Sequence, residues 1–251
     1  MNGISRIFTV SVILLGISSG MIWAFSFSPI SASLSPEGKD STRSFQLKND
    51  GDNHVAVRIN LFTRKMDMDG NETMEPADEL FTVYPDRVVL PPKSFQSVRI
   101  RWKGPVDLTK EQSYRILVEQ VPVDFEGQSR KGSGLKIMFR YLGAIYITPD
   151  FAVPEVVLEK STAHIVQEES QTAEFIFYNR GTKHAILTDL KLKIQGIDTE
   201  TGESVSIEAE DLREIDGENI LAGARRRVRL NLPADFTGEK VNVEFLYEQE
   251  E

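Results

Sequence analysis

Ser44-Phe45-Gln46-Leu47-Lys48-Asn49-Asp50-Gly51-Asp52-Asn53-His54-Val55-Ala56-Val57-Arg58-Ile59 decides the architecture. Polar and apolar residues alternate from Ser44 to Lys48 and again from His54 to Ile59, the period of a strand that buries one face. Between them, Asn49 to Asn53 are all residues that favour turns, so the stretch reads as strand, turn, strand. The same grammar continues outward. Thr82–Val89, Gln96–Trp102, Tyr114–Val121 and Leu135–Thr148 are predicted strands, each bounded by Pro, Gly or a charged turn. A second set follows at Glu174–Tyr178, Ala185–Ile194, Ser204–Ile207, Arg226–Leu232 and Lys240–Tyr247. No long helical periodicity competes with them.

Pro149-Asp150-Phe151-Ala152-Val153-Pro154 places two prolines close together, which stiffens the chain and disfavours continuation of a strand or helix. A boundary is expected there, between an N-terminal domain of residues 25–149 and a C-terminal β-sandwich of residues 150–251. The halves echo one another. Phe45-x-Leu47-x-Asn49-x-Gly51 recurs as Phe175-x-Phe177-x-Asn179-x-Gly181 at an offset of 130 residues, in each case an inward-facing pair followed by a turn that Asn and Gly adopt. A chain of 251 residues, 40% apolar and 27% charged, is enough for one large β domain or two of ordinary size, and the echo fits a pair of sandwiches better than one barrel.

Ahead of both domains, Arg6 precedes an apolar run from Ile7 to Ile17, and Ser18, Ser19, Gly20 and Ala24 supply small residues. This is the order of a secretory signal peptide cleaved after Ala24, so residues 1–24 are set aside from the fold. An uncleaved anchor is the alternative, because Met21-Ile22-Trp23 lengthens the apolar stretch. The expected mature protein is exported and acidic: the net charge of −9 becomes more negative once Arg6 is removed. An acidic chain lacks the basic face that phosphate backbones require, so nucleic acid is not an expected partner. The absence of cysteine excludes disulfides, zinc ribbons and thiol nucleophiles together.

Candidate chemistry is sparse. Met66-Asp67-Met68-Asp69-Gly70-Asn71-Glu72 sets acidic residues at alternate positions before a glycine, as a calcium loop does. Asp78 stands where the bidentate Glu belongs, however, and a polar hairpin turn is the better reading. His54, His164 and His184 lack the spacing of a helical zinc site, so no metal is expected. With no Gly-x-Ser-x-Gly elbow and no glycine-rich phosphate loop, no catalytic residue is assigned. Arg225-Arg226-Arg227 with Arg229 is the densest basic run. Val228, Leu230 and Leu232 are expected to face inward and Arg227, Arg229 and Asn231 outward, as the solvated face of a strand; an electrostatic docking patch is the sharper alternative.

Residues 84–149 carry the most information. Tyr84-Pro85-Asp86-Arg87-Val88-Val89-Leu90-Pro91-Pro92 leads to Gln96-Ser97-Val98-Arg99, then to Glu111-Gln112-Ser113-Tyr114-Arg115 and Glu119-Gln120-Val121-Pro122, and Tyr146-Ile147-Thr148-Pro149 closes the series. This order resembles the PapD-like periplasmic chaperones of pilus and fimbria assembly, the chaperone–usher family. Asn179 and Asn219-Ile220-Leu221-Ala222-Gly223 carry the resemblance, more weakly, into the second half. The resemblance implies an all-β fold of two immunoglobulin-like β-sandwich domains set at an angle. It further implies a periplasmic location and a non-enzymatic, ATP-independent chaperone without cofactors. The implied partners are pilin or coat-fibre subunits and an outer-membrane usher, with a self-capping homodimer as a further arrangement. Such chaperones lend the last strand of their first domain to a subunit that lacks its own final strand. The candidate donor residues are Leu135, Ile137 and Phe139, which alternate with Lys136, Met138 and Arg140. A plain core-facing strand is the alternative for this segment.

The family also holds the subunit's terminal carboxylate with two basic residues, and the corresponding positions here are Ser33 and Ala144, so both anchors are missing. If 135–148 pairs antiparallel with Tyr114–Val121, Arg115 lies beside residues 142–144 and becomes the replacement candidate. The alternatives for Arg115 are a surface arginine or a structural ion pair, and Lys136 and Arg140 come next. Two functions of other kinds stay open. One is a secreted structural or adhesive β-sandwich without chaperone activity. The other is a carbohydrate-active enzyme, which would need aromatic platforms that Trp23 and Trp102, one of them in the signal segment, do not supply.

Overall fold

The computed structural model describes residues 25–123, 137–167, 170–196, 204–208, 212, 215–232 and 241–248. The expected signal peptide, residues 1–24, and the candidate donor Leu135 lie outside the described residues. The first half runs through β1 (Phe25–Ser28), β2 (Ser31–Leu34), β3 (Thr42–Asn49), β4 (Val55–Thr63), β5 (Lys65–Met66), β6 (Glu72–Thr73), β7 (Phe81–Tyr84), β8 (Arg87–Leu90), β9 (Ser94–Trp102), β10 (Gln112–Val121) and β11 (Arg140–Ile147). These strands form two facing sheets, β1-β3-β9-β7 and β2-β11-β10-β4-β8, while β5 and β6 make a separate hairpin. The alternation read from the sequence does the closing: Phe45 and Leu47 of β3, Ile59 and Leu61 of β4 and Val98 and Ile100 of β9 are buried in one core. Each such side chain contributes about 1.5–3 kcal/mol when fully buried.

The first segment changes sheet. β1 pairs antiparallel with β3, Phe25 opposite Asn49, and beyond Pro29 β2 pairs parallel with β11, Ser31 opposite Ala144. Neither strand is among those predicted, although Phe25-Ser26-Phe27-Ser28 alternates, because four residues carry too little periodicity to stand out. The predicted strand Thr82–Val89 is divided: β7 belongs to one sheet and β8 to the other. Pro85 lies at the break, where it has no N–H to give to a ladder.

The second half comprises β12 (Val156–Gln167), β13 (Ser170–Asn179), β14 (Ala185–Gly196), β15 (Ser204–Ile207), β16 (Glu218–Ile220), β17 (Arg225–Leu232) and β18 (Val241–Glu248). One sheet is β12-β13-β17, and the other gathers β15, β16 and β18 around β14. Phe175, Phe177, Leu192, Ile194 and Val228 lie in their common core. Among the described residues, no ladder joins the halves.

The echo of residues 45–51 in 175–181 extends to hydrogen bonds. Asn49 is buried, and its Nδ2 donates to the carbonyl oxygens of Asn53, 4 residues on, and Leu90, 41 residues on, while its Oδ1 accepts the Gly51 N–H. Asn179 is buried too; it donates to Lys183, again 4 residues on, and to Ile220, again 41 residues on, and accepts from Gly181. The same carboxamide therefore ties the same strand ends together in both sandwiches. Asn179 Oδ1 also accepts the Glu155 N–H, and Val153 O accepts the N–H groups of Thr182 and Lys183, so the segment joining the halves is clamped to the turn after β13.

Candidate functional site

β11 is bonded along one side by β10, in a register that runs from Gln112 opposite Ile147 to Glu119 opposite Arg140. On its other side β2 covers only Ala144 to Ile147. The edge at Arg140–Gly143 therefore has no strand beside it among the described residues, and its backbone groups are of the kind an incoming strand can use. Tyr141, Gly143, Ile145 and Ile147 alternate toward the sandwich interior, with Tyr141 packed against the core and Ile145 and Ile147 within it. Just ahead, Ile137 is 45% exposed, and Leu142 on the outward face is 42% exposed. Phe139 is half-buried against the protein's own core.

The two expected anchor positions are not basic, and only one of them is enclosed. Ala144 is buried in a small apolar cluster with Tyr146 and Leu221, so no room is left there for a long cation. Ser33 is exposed, and its carbonyl accepts the Arg43 Nε–H at 3.1 Å. Arg115 lies directly across from Ala144 in the β10–β11 ladder, on the same face, and across from Phe62 in the β10–β4 ladder. It is held by Glu72 of the short hairpin: Arg115 Nε donates to Glu72 Oε2 at 2.8 Å. Arg64, at the end of β4 and itself buried, donates from Nε to the other oxygen of the same carboxylate at 2.8 Å. Burial pushes the Glu72 carboxyl up, but the hydrogen bond from Arg115 and the charges of Arg64 and Arg115 outweigh it and hold the group below the usual carboxylate range. Arg64 and Glu72 were not candidates from the sequence. Arg64 lies in phase with Arg58, Asn60 and Phe62 of β4, and nothing in the sequence couples Glu72 to Arg115, 43 residues away.

From Arg64 the network crosses into the second half. Arg64 donates from Nη1 to Tyr146 Oη at 3.0 Å, and Asn219 Nδ2 donates to the same oxygen at 2.7 Å. The Tyr146 ring stacks on His184, centroids 3.8 Å apart and planes at 10°. Behind that ring, the wholly buried Glu111 carboxylate receives the His184 N–H at 3.1 Å and the Thr148 hydroxyl at 2.9 Å, and lies 2.7 Å from His184 Nδ1. Arg64, Met66 and Glu72 form one wall of a cleft of about 410 Å³, and Glu218, Asn219 and Arg226 form the other.

The turn at 66–72 is a hairpin between β5 and β6, and its tip touches the second half: Met68 O accepts the Arg227 N–H at 2.7 Å. The basic run of β17 is spent on partners, Arg225 on Glu159, Arg226 on Glu218, Arg227 on Asp69 and Arg229 on Glu174. Val228, Leu230 and Leu232 face inward as expected.

Residues 29–151 match the sequence model of the pili and flagellar-assembly chaperone, PapD N-terminal domain. No curated protein matches the chain. Among solved structures, the class 5 fimbriae chaperone CfaA superposes with a TM-score of 0.55 at 16% identity, covering 88% of this chain and 98% of that one. The CsuC–CsuE chaperone–tip adhesion subunit pre-assembly complex from archaic chaperone-usher Csu pili of Acinetobacter baumannii gives 0.52 at 16% identity, covering 82% and 89%. The Salmonella enterica SafA pilin in complex with the SafB chaperone gives 0.50 at 14% identity, covering 90% and 97%. At these identities the likeness establishes the fold, and the sequence match over residues 29–151 places the first half in a named domain family. The chain belongs to the PapD-like pilus-assembly chaperones as a divergent member.

Proposed function

We propose that the chain is exported to the periplasm through residues 1–24, captures pilus or fimbrial subunits by adding the edge of β11 to their incomplete sheets, and passes them to an outer-membrane usher. The observation that carries this reading is the edge of β11 ahead of Ala144, unpaired among the described residues and preceded by the exposed Ile137. Leu135, Ile137 and Phe139 are the proposed donor row, and Arg115 is the proposed partner of the subunit's terminal carboxylate, one strand over from the non-basic Ala144. No nucleotide site is needed, because a subunit completed by a borrowed strand releases energy when another subunit's strand replaces it.

The test is co-purification with a pilin subunit expressed from the chaperone's own gene cluster. Ile137→Asp should lower capture about 100-fold or more, since it buries an unpaired carboxylate in the subunit groove, while the free chaperone keeps its melting temperature. Arg115→Ala should weaken capture of a subunit with a free C-terminus and leave one amidated at its C-terminus unaffected. Full capture by Ile137→Asp would end the donor-strand reading; equal effects of Arg115→Ala on both subunits would remove Arg115 from the site.

A further inference from the structure

We propose that Glu72 is an internal carboxylate filling the fork of Arg64 and Arg115 in the free protein, and that a peptide segment ending in a free carboxylate binds there by displacing it. This rests on the reading of Arg115 as the carboxylate anchor, and adds that the anchor is self-occupied.

Arg115 takes both oxygens of Glu72, Oε2 from Nε and Oε1 from Nη2, and Arg64 Nε adds a further bond to Oε1, so two guanidinium groups grip one carboxylate. Around the cleft Arg64, Arg115 and Arg226 are balanced by Glu72, Asp216 and Glu218, so a carboxylate enters without added charge only by taking the place of Glu72. The parts differ in how firmly they are fixed. Arg115 sits within the ten-residue β10, hydrogen-bonded to a strand on each side. Arg64 is buried at the end of β4 and tied to Tyr146. Glu72 is carried by β6, a two-residue strand whose ladder has two pairs, Lys65 with Thr73 and Met66 with Glu72. The hairpin itself is tied at its tip to Arg227, so it is the Glu72 side chain, held by the two arginines, that would turn out of the fork.

Arg64 and Glu72 face the cleft of about 410 Å³ between the hairpin and the second half. Exchange of one carboxylate for another also keeps the buried Arg64 paired throughout, which dissociation of Glu72 alone does not.

The experiment is calorimetric titration of the full chain with an N-acetylated apolar tetrapeptide ending in a free carboxylate, and with its C-terminal amide. A site closed nine-tenths of the time by its own acid binds about tenfold more weakly than an open one. Glu72→Gln should therefore bind the acid peptide about tenfold more tightly than the unmodified chain, the amide should bind both alike, and Glu72→Gln combined with Arg115→Ala should lose the gain. In the unmodified chain, which needs no substitution, the ¹³C resonance of the Glu72 carboxyl should shift when the acid peptide is added and stay put with the amide. Equal binding of the acid peptide by the unmodified chain and Glu72→Gln, no binding by Glu72→Gln, a gain shared by the amide, or an unmoved Glu72 resonance at saturation would each overturn the proposal. No subunit takes part in these measurements, so a failure of the chaperone reading shows instead in the co-purification above.

Discussion

Asn49 and Asn179 do the same work 130 residues apart, and each does it with one carboxamide. Asn179→Ala would strip partners from the N–H groups of Gly181 and Glu155 and from the carbonyls of Lys183 and Ile220. Unsatisfied buried groups cost about 1–3 kcal/mol each, so a loss of about 3 kcal/mol or more is expected on urea unfolding, and Asn49→Ala should cost a similar amount. Asn179→Asp keeps the acceptor but turns an anionic oxygen toward two carbonyls, so it should recover nothing; a fully stable Asp variant would show that the Nδ2 bonds are dispensable. The sequence carried half of this. Phe45-x-Leu47-x-Asn49-x-Gly51 and its second copy announce a strand and its turn because those preferences are local, whereas the reach to a carbonyl 41 residues away has no local signature. Arg115 is the same case at the candidate site: the ladder position beside Ala144 followed from alternation and strand pairing, and its Glu72 partner followed from nothing in the neighbourhood of either residue.

The hairpin of β5 and β6 shows the limit one scale up. Its turn was legible because it builds itself: Asp67 Oδ1 accepts the N–H groups of Asp69 and Asn71, so an acid that resembles a metal ligand is consumed by its own backbone. That the tip then crosses to β17 was not legible, since a period describes one element and says nothing of what lies over it. The split of Thr82–Val89 into β7 and β8 is the reverse case, for the inward positions change phase across Pro85, from Phe81 and Val83 to Val88 and Leu90, as the chain changes sheet. Gly70 makes the crossing possible. It holds φ at 85°, and a Cβ there would fall 2.5 Å from the Arg226 guanidinium carbon. Gly70→Ala should therefore cost about 1–2 kcal/mol through the left-handed backbone, and more if Arg226 is pushed off Glu218. Amide exchange should report it locally, with the Arg227 N–H, which donates to Met68, exchanging faster than in the parent. Unchanged exchange there would mean that the hairpin does not hold β17.

At the scale of the molecule, two sandwiches followed from the echo and from the proline pair, but the joint between them is made of residues that no motif linked. His184 stands between the Tyr146 ring and the Glu111 carboxylate, and Glu111 has no exposed side-chain surface. His184→Ala leaves that carboxylate with the backbone N–H of residue 184 and the Thr148 hydroxyl alone, and the lost side-chain partner of a buried group costs about 1–3 kcal/mol. Calorimetry should show a lower melting temperature with the two halves unfolding in separate steps, and His184→Gln, which can still donate, should restore part of the loss. An unaltered single transition in His184→Ala would show that the joint lies elsewhere. The placement of β2 has a consequence for traffic along β11. β2 occupies the same lane as the unpaired edge and begins where that edge stops, with Ile30 O already bonded to the Ala144 N–H. A visiting strand sliding toward the joint would meet Ile30 end to end, as a carriage meets a buffer. Its depth of insertion would then be set by collision with the backbone and not by the match of its side chains, so guests of quite different sequence would halt at one common position.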